Sequence, residues 1–245
     1  MSTSIPQRRA LVTGGSGDLG GAICRQLAAQ GRHVIVHANR NIARADEVVA
    51  AIVADGGSAQ AVAFDVADAQ ASAVALASLL EGGPIQIVVN NAGIHDDAPM
   101  AGMSAEQWHR VIDVSLHGFF NVTQPLLLPM ARTRWGRIVS VSSVAAVLGN
   151  RGQTNYAAAK AALHGASKSL SREMASRGIA VNVVAPGVIE SEMVGESFAP
   201  EVIKQLVPAG RVGKPDEVAA LVAFLCSEAA GYINGQVIGI NGGMG

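Results

Sequence analysis

The stretch LVTGGSGDLGGAI, residues 11–23, decides the fold and raises the first question about function. A short apolar strand runs into a cluster of glycines, and an Ala/Leu-rich helical pattern follows directly. A glycine-rich turn at this place lets the backbone approach a pyrophosphate, and the helix end offers free N–H groups and a positive dipole. The turn nevertheless carries an acid, Asp18. Since no Lys-Ser/Thr pair follows the glycines, a P-loop is excluded.

The glycines fit two different patterns. A match to G-x-G-x-x-G begins at Gly15, whereas a match to T-G-x-x-x-G-x-G begins at Thr13 and places Asp18 where a glycine is expected. Either pattern alone is a weak signal, because tight glycine turns also arise for purely structural reasons. The position directly after an N-terminal strand strengthens the reading as a nucleotide site. The rest of the chain has to decide between the two registers.

Composition limits the classes of function. The chain has 245 residues, of which 49% are hydrophobic, so it can bury a large core, and a single domain over 1–245 is the simplest expectation. Only 15% of residues are charged and the formal net charge is −1, which argues against a nucleic-acid footprint or a polybasic membrane patch. The aromatic content of 4% also argues against a base-stacking platform.

Targeting and metal signals are missing from the sequence. No apolar run has the length of a signal peptide or a bilayer span, so we expect a cytoplasmic protein without a membrane segment. The two cysteines lie in apolar helical patterns and are expected to be buried thiols. The six histidines form no metal-binding motif, and no metal is expected.

Short β-branched runs alternate with long helical patterns along the whole chain. Near-continuous apolar strands separated by helices indicate a parallel sheet that is buried on both faces. The sequence therefore predicts a Rossmann-like, doubly wound α/β fold with one seven-stranded parallel sheet and helices on both faces. The predicted strands lie at 9–13, 33–38, 59–66, 85–90, 136–143, 179–187 and 235–242. In such sheets the ligand crevice lies at the carboxyl ends of the strands, so the informative residues should follow each strand.

The end of the second strand reports on the cofactor. An acid there would bind the adenosine ribose of NAD, whereas a basic residue favours the 2′-phosphate of NADP. The run VHANRN contains no acid, and Arg40, next to Asn39, can donate two hydrogen bonds to a phosphate. The alternative is that Arg40 is an ordinary solvated loop residue. We expect NADP(H) rather than NAD(H).

The run YAAAK places Tyr156 and Lys160 at i and i+4 on one helix face. A nearby ammonium favours the phenolate, so we expect Lys160 to lower the pKa of Tyr156 toward the working pH. Ser143, at the end of the fifth predicted strand, could hold a carbonyl oxygen beside the tyrosine. Taken singly these features are weak, because Tyr–Lys pairs also occur on solvated faces.

Taken together, the motifs resemble those of the short-chain dehydrogenase/reductase family. TGGSGDLG, NNAG, Ser143, YAAAK and PGVIESEM occur in that family's order, and the step of 13 residues from Ser143 to Tyr156 also agrees. The resemblance covers essentially the whole chain. Within the family, the later segments look most like the 3-oxoacyl-[acyl-carrier-protein] reductases. The family match selects the T-G-x-x-x-G-x-G register.

The resemblance implies roles for individual residues. Tyr156 would protonate a carbonyl oxygen as hydride arrives from the nicotinamide, Lys160 would lower the tyrosine pKa and bind the ribose, and Ser143 would orient the carbonyl. The implied cofactor-binding residues are Thr13, Gly14, Ser16, Gly17, Asp18, Leu19, Gly20, Asn39, Arg40, Asp65, Val66, Asn90, Ala92, Gly93, Tyr156, Lys160, Pro186, Gly187, Ile189 and Ser191.

Two positions depart from the family pattern. Ser115 stands where the family has a catalytic asparagine that helps to hold a proton-relay water, and our hypothesis is that the relay survives through a shifted water. Asp18 is expected to be the N-cap of the first helix, with main-chain N–H groups near Leu19 left for phosphate. Gly17 is expected to supply the backbone freedom of the missing glycine.

The implied partner is acyl carrier protein, with Arg134 and Arg177 as docking residues and Arg137 and Arg172 nearby in sequence; solvated helix ends are the alternative. The resemblance also implies a homotetramer. The stretch NNAGIHDDAPMAGM is similar to reductases of aryl polyene biosynthesis, in which a 3-oxo polyenoyl chain would be the substrate and His95 would line the pocket mouth. The competing interpretations are a reductase of another ketone, acyl-CoA, sugar or steroid, or an inactive NADPH-binding scaffold.

Overall fold

Seven parallel strands form one sheet in the computed structural model, which describes residues 7–190 and 200–245. The strand order is β3-β2-β1-β4-β5-β6-β7. This confirms the predicted sheet. The strands are β1 (Arg9–Val12), β2 (His33–Ala38), β3 (Ser58–Ala63), β4 (Ile87–Asn90), β5 (Gly136–Val141), β6 (Ile179–Pro186) and β7 (Val237–Ile240).

Helices connect successive strands. They are α1 (Asp18–Ala29), α2 (Ile42–Ala54), α3 (Ala69–Glu81), α4 (Ala105–Ile112), α5 (Gly118–Arg132), α6 (Ala145–Leu148), α7 (Thr154–Met174), α8 (Pro200–Leu206) and α9 (Pro215–Leu225). One π-helical turn, Asp113–His117, joins α4 to α5. Across 7–190 and 200–245, no helix combines the length and the apolar character that crossing a membrane requires.

The two faces of the sheet carry separate cores. In β1, Ala10 and Val12 pack with buried residues of α1, α2 and α9, whereas Leu11 packs on the other face with α3 and α5. The same alternation holds in β4, where Val88 joins the second core. Because both faces are covered, most strand positions are apolar. This explains the near-continuous apolar runs in the sequence.

The strand order reverses between β1 and β4, and the two strand ends are tied together there. Thr13 donates its backbone N–H to the Val89 carbonyl at 3.0 Å. Its hydroxyl oxygen accepts the N–H groups of Asn91 and Ala92, each at 3.0 Å. A ligand crevice is expected at such a switch point, outside the carboxyl ends of the strands. Thr13 therefore fixes both walls of that crevice.

Several predicted strands are longer than the observed ones. β3 ends at Ala63 and not at residue 66, because Asp65 turns the chain by accepting the Ala67 N–H at 2.9 Å. β5 ends at Val141 and not at residue 143, since the Ser143 hydroxyl accepts the Ala145 N–H at 3.1 Å. Polar residues at the strand ends thus leave the sheet and enter the crevice.

Gly14 of the first loop and Gly20 at the start of α1 occupy positions that no side chain can fill. Gly14 has a φ of +64°, and a Cβ there would lie 3.2 Å from the Cα of Ala92. A Cβ at Gly20 would lie 2.0 Å from the carbonyl oxygen of Gly14. The start of α1 is therefore packed directly against the loop backbone.

We expect Gly20→Ala to destabilise the fold by about 1–3 kcal/mol or more, because the added methyl group meets rigid backbone. Gly17→Ala is the matched control: a Cβ there lies 3.6 Å from the Gly14 oxygen, and its cost should stay below about 1 kcal/mol. Denaturant unfolding of both variants measures the difference. Equal stability of the two variants would contradict the close packing.

Candidate active site

The end of β5 fixes the helix that carries the Tyr–Lys pair. Ser142 donates its hydroxyl to the Lys160 carbonyl at 3.1 Å and shares a hydrogen bond of 2.7 Å with Nε2 of His164. The Lys160 ammonium donates to the Val141 carbonyl at 2.9 Å. This role of Ser142 was not predicted from the sequence, although the pair of serines that follows β5 indicated a functional position. Together these bonds set the height of α7 against the sheet.

All four predicted catalytic residues meet at this place. Tyr156 is 9% exposed, the Ser143 hydroxyl lies close enough to its phenol to act on its pKa, and the Lys160 nitrogen lies 5.7 Å from the ring centroid. A Cβ on Gly93 would lie 2.9 Å from that nitrogen and 3.7 Å from the Ser115 hydroxyl oxygen. A side chain at position 93 would therefore crowd Lys160, whereas Ser115 would remain at an ordinary van der Waals distance.

Ser115 lies in the π-helical turn and is buried. Its hydroxyl makes no hydrogen bond to any residue within 7–190 and 200–245. A buried hydroxyl without a partner is costly and calls for an explanation, often a bound group. Its place beside Lys160 makes it part of the candidate site.

The electrostatics differ from the sequence prediction. Burial raises the pKa of Tyr156, the Asp97 carboxylate adds to the rise, and the Ser143 hydroxyl opposes it. Burial also lowers the pKa of Lys160 to about 8. The expected lowering of the tyrosine pKa is therefore wrong for this structure, because removal of the phenol from water outweighs the effect of Ser143, the one group that favours the phenolate. Below pH 8 the phenol keeps its proton and the lysine keeps its charge.

Asp18 does not cap α1. The N-cap is Gly17, with φ −90° and ψ 173°. Asp18 is the first residue of the helix, and its side chain is exposed. The predicted cap was thus misplaced by one residue. A carboxylate in the first turn still interacts favourably with the helix dipole. The backbone freedom expected of Gly17 is supplied by Gly14, the residue with the positive φ.

The first turn of α1 leaves backbone donors for a ligand. The first helical hydrogen bond is donated by Gly21 to the Gly17 carbonyl at 2.7 Å. The N–H groups of Asp18, Leu19 and Gly20 precede it and have no partner within the helix. Ser16 lies beside them in the loop. This arrangement fits an anion such as a pyrophosphate.

His37 is hydrogen-bonded to the glycine loop, a role that was not predicted from the sequence. The Gly14 N–H donates to its Nδ1 at 3.0 Å, and its Nε2 donates to the Phe64 carbonyl at 2.8 Å. Burial lowers the pKa of His37 to about 4, so the ring is neutral and keeps one acceptor for Gly14. A histidine inside an apolar strand was the available signal.

The predicted adenosine side lies next to this loop. Asn39 and Arg40 follow β2, are exposed, and line the same surface cavity as Asp65. Glu106 and Asp113 also line that cavity. The exposed Arg40 guanidinium is therefore available to bind an anionic group in this cavity.

Asn90 and Val66 are set into the floor of the crevice. Asn90 donates its amide to the Thr123 hydroxyl at 3.0 Å and is buried. The Val66 carbonyl accepts from the Asn121 amide at 2.9 Å. Both residues are held by α5. Asn91, which the sequence did not single out, carries the bonds to the Thr13 and Gly14 carbonyls at 2.9 and 3.2 Å.

The predicted nicotinamide side follows β6. The Val144 N–H donates to the Pro186 carbonyl at 2.7 Å, which brings this segment beside Ser143. Gly187 donates to Ile240 at 3.0 Å, and Ile189 forms an isolated bridge with Gly213. Ser191 lies outside the described residues.

The candidate docking arginines lie at the amino ends of the strands, opposite the candidate active site. Arg134 precedes β5 and Arg177 precedes β6, so both stand at the amino ends of strands whose carboxyl ends carry the site. Both are exposed, and Arg134 donates to the Ser176 carbonyl at 3.3 Å. Arg137 is buried against the Trp135 ring, 4.4 Å from its centroid, and is unavailable for docking.

Within the described ranges, no group of three or more His, Cys, Asp or Glu side chains is arranged to hold a metal ion. The residues fit a dinucleotide instead. A cradle closed to any Cβ at Gly14 and Gly20, free N–H groups at the start of α1 and the unpartnered Ser115 hydroxyl lie along one crevice.

Comparisons with known proteins agree with this geometry. Residues 16–245 match the model of the family described as enoyl-(acyl carrier protein) reductase. The chain is 42% identical over 236 residues to the 3-oxoacyl-[acyl-carrier-protein] reductase FabG of Aggregatibacter actinomycetemcomitans, covering 96% of this chain and 98% of that protein. It is also 42% identical over 244 residues to the 3-oxoacyl-[acyl-carrier-protein] reductase of Synechocystis sp., covering 99% and 98%.

A third relative carries a different name. Nodulation protein G of Azospirillum brasilense is 42% identical over 244 residues, covering 98% of this chain and 99% of that protein. Coverage is nearly complete in all three cases. The chain therefore belongs to the short-chain dehydrogenase/reductase family, which implies a nicotinamide cofactor.

Proposed function

We propose that the protein is an NADPH-dependent reductase of 3-oxoacyl thioesters carried on acyl carrier protein. The observation that carries the proposal is the buried, protonated phenol of Tyr156, which lies between Ser143 and Lys160. Support comes from the nearly full-length similarity to two proteins named for this reaction. Ser115 completes the site at the position of the family asparagine, beside Lys160.

The chain's own residues supply the proton and the orientation. When bound, the nicotinamide cofactor supplies the hydride that the carbonyl carbon gains. Tyr156 donates its phenolic proton to the carbonyl oxygen, so that ketone, hydride and proton together give the alcohol. Ser143 donates a second hydrogen bond to the same oxygen and polarises the carbonyl. The Lys160 ammonium stabilises the phenolate that remains.

The site favours a ketone over a carbon–carbon double bond. The matched family description mentions an enoyl substrate, whereas two relatives are named for 3-oxoacyl substrates. Tyr156 and Ser143 bring two hydroxyl groups close together, and each can donate to a bound substrate. A carbonyl oxygen can accept hydrogen bonds from both, but an alkene carbon is no such acceptor. Two neighbouring donors are therefore suited to a carbonyl.

We expect Tyr156→Phe to lower the rate of NADPH consumption with acetoacetyl thioesters by about 100-fold or more, because it removes the general acid. Tyr232→Phe is the matched control, since Tyr232 is fully exposed and should leave the rate unchanged. Absorbance of NADPH measures both. A wild-type protein that binds NADPH but reduces no 3-oxoacyl thioester would contradict the proposal and favour a binding scaffold.

The cofactor preference is proposed from the end of β2. No acid stands there to bind a ribose hydroxyl, and Arg40 is exposed at the cavity that it shares with Asn39 and Asp65. A guanidinium can bind a 2′-phosphate with two parallel hydrogen bonds. NADPH therefore gains an interaction that NADH lacks.

Arg40→Ala should raise KM for NADPH by about 10-fold or more, which corresponds to the loss of one charged hydrogen-bonding partner. The KM for NADH is the internal control and should not change. Steady-state kinetics with both cofactors on one substrate measures the ratio. An equal effect on the two cofactors would show that Arg40 does not bind the 2′-phosphate.

We further propose that acyl carrier protein docks on the exposed arginines Arg134 and Arg177. Carrier proteins are acidic, and both arginines stand close together at the amino edge of the sheet. The eight residues of β6 span roughly 26 Å between this edge and the reaction site. The docking patch and the chemistry are thus separated, and the acyl arm has to reach around the edge of the molecule or into a neighbouring copy.

The double variant Arg134→Glu/Arg177→Glu should raise KM for a carrier-bound 3-oxoacyl substrate by about 10-fold or more, since two favourable charge contacts become repulsive. Both KM and kcat for a small soluble thioester should be retained. Arg25→Glu, a charge reversal at an exposed arginine on α1, is the control for a change elsewhere on the surface. Equal losses on the two substrates would overturn the docking proposal.

A further inference from the structure

An imidazole lies on the candidate catalytic tyrosine, and the mechanism above does not use it. The rings of His95 and Tyr156 stack with centroids 4.1 Å apart and an interplanar angle of 27°. The His95 side chain is 52% exposed, so one ring face contacts the phenol and the other faces outward. His95 therefore forms the outer cover of the tyrosine ring.

A buried amide holds the imidazole in this position. Gln153 directs its side-chain nitrogen to Nδ1 of His95 at 3.3 Å and to the Asp97 carboxylate at 2.8 Å. Gln153 is itself 9% exposed and immediately precedes α7. The stack is therefore anchored to the helix that carries Tyr156.

The loop that carries His95 is anchored separately. The Asp96 carboxylate accepts hydrogen bonds from Gln107 at 2.8 Å and from Arg110 at 2.5 Å. The Asp96 carbonyl accepts from the Asn155 amide at 2.9 Å, and Asn155 is the neighbour of Tyr156 in α7. Both ends of the stack thus share one rigid frame.

We propose that His95 is a positioning residue for Tyr156, whose ring closes the outer face of the phenol against water and so keeps the phenolic proton in place. This inference rests on the proposed function only because that function assigns the phenolic proton a catalytic role. The geometry of the stack stands without it.

The charges around the stack agree with this role. Asp97 and Lys160 face His95, while Ser143, Asp97 and Lys160 face Tyr156. Burial lowers the pKa of His95, Lys160 adds to the lowering, and Asp97 opposes it. The ring is thus neutral at pH 7 and above. A neutral cover removes water without adding a cation that would favour the phenolate.

The chain has only two tyrosines, which makes the proton on Tyr156 directly observable. In protein labelled with ¹³C at tyrosine Cζ, the signal of Tyr156 can be followed against pH, with Tyr232 as the exposed reference and Tyr232→Phe as the assignment. His95→Ala should lower the titration midpoint of Tyr156 by about one pH unit, because burial is the main cause of its raised pKa. His95→Phe keeps a stacked ring and should keep the midpoint.

The pH profile of kcat/KM gives a second readout. Its basic limb contains the loss of the Lys160 proton near pH 8 and, at higher pH, the loss of the Tyr156 proton. The second step should move to lower pH in His95→Ala but not in His95→Phe, while KM for the cofactor stays unchanged. An unchanged midpoint in His95→Ala, or equal shifts in both variants, would overturn the inference. The NMR titration needs no substrate, so failure of the proposed substrate would leave its result unaffected.

Discussion

The hydrogen bonds of Thr13 are the constraint on which the candidate site depends. One residue joins the ends of β1 and β4 at the point where the strand order reverses, through its N–H and its hydroxyl oxygen. On one side begins the glycine loop, which leads into α1. On the other begins the segment that carries Gly93 and then His95. Any displacement of Thr13 would move the cradle for phosphate and the wall around Lys160 together.

Burial then sets the chemistry of the groups that this frame brings together. It raises the pKa of Tyr156 and lowers that of Lys160 to about 8, so the two groups hold their protons over the same neutral range. A protonated phenol beside a charged ammonium is the state that a reductase needs before transfer. Burial therefore shifts both pKa values so that Tyr156 can act as the proton donor and Lys160 can stabilise the phenolate.

The fold, and the place where the candidate site residues meet, could be predicted from sequence, because both depend on local patterns. Apolar runs marked the strands, and the residues directly after them reach the crevice, as Ser143 shows. Contacts between residues that are distant in the sequence leave no such local pattern. The cap assigned to Asp18 was wrong by one residue because the loop places Gly17 at the helix start. The expected lowering of the Tyr156 pKa was wrong because helix spacing shows the lysine but not the burial. His37 and the stack of His95 need the neighbouring strand and helix to be seen at all.

The central claim is that the site reduces a ketone of a carrier-bound thioester. The most direct measurement is product analysis by mass spectrometry after incubation with NADPH and an equimolar mixture of 3-oxoacyl- and 2-enoyl-acyl carrier protein. The account predicts that the 3-hydroxyacyl product forms and that the enoyl substrate remains, because Tyr156 and Ser143 can both donate to a carbonyl oxygen. Reduction of the enoyl chain alone, with the 3-oxoacyl chain untouched, would contradict it.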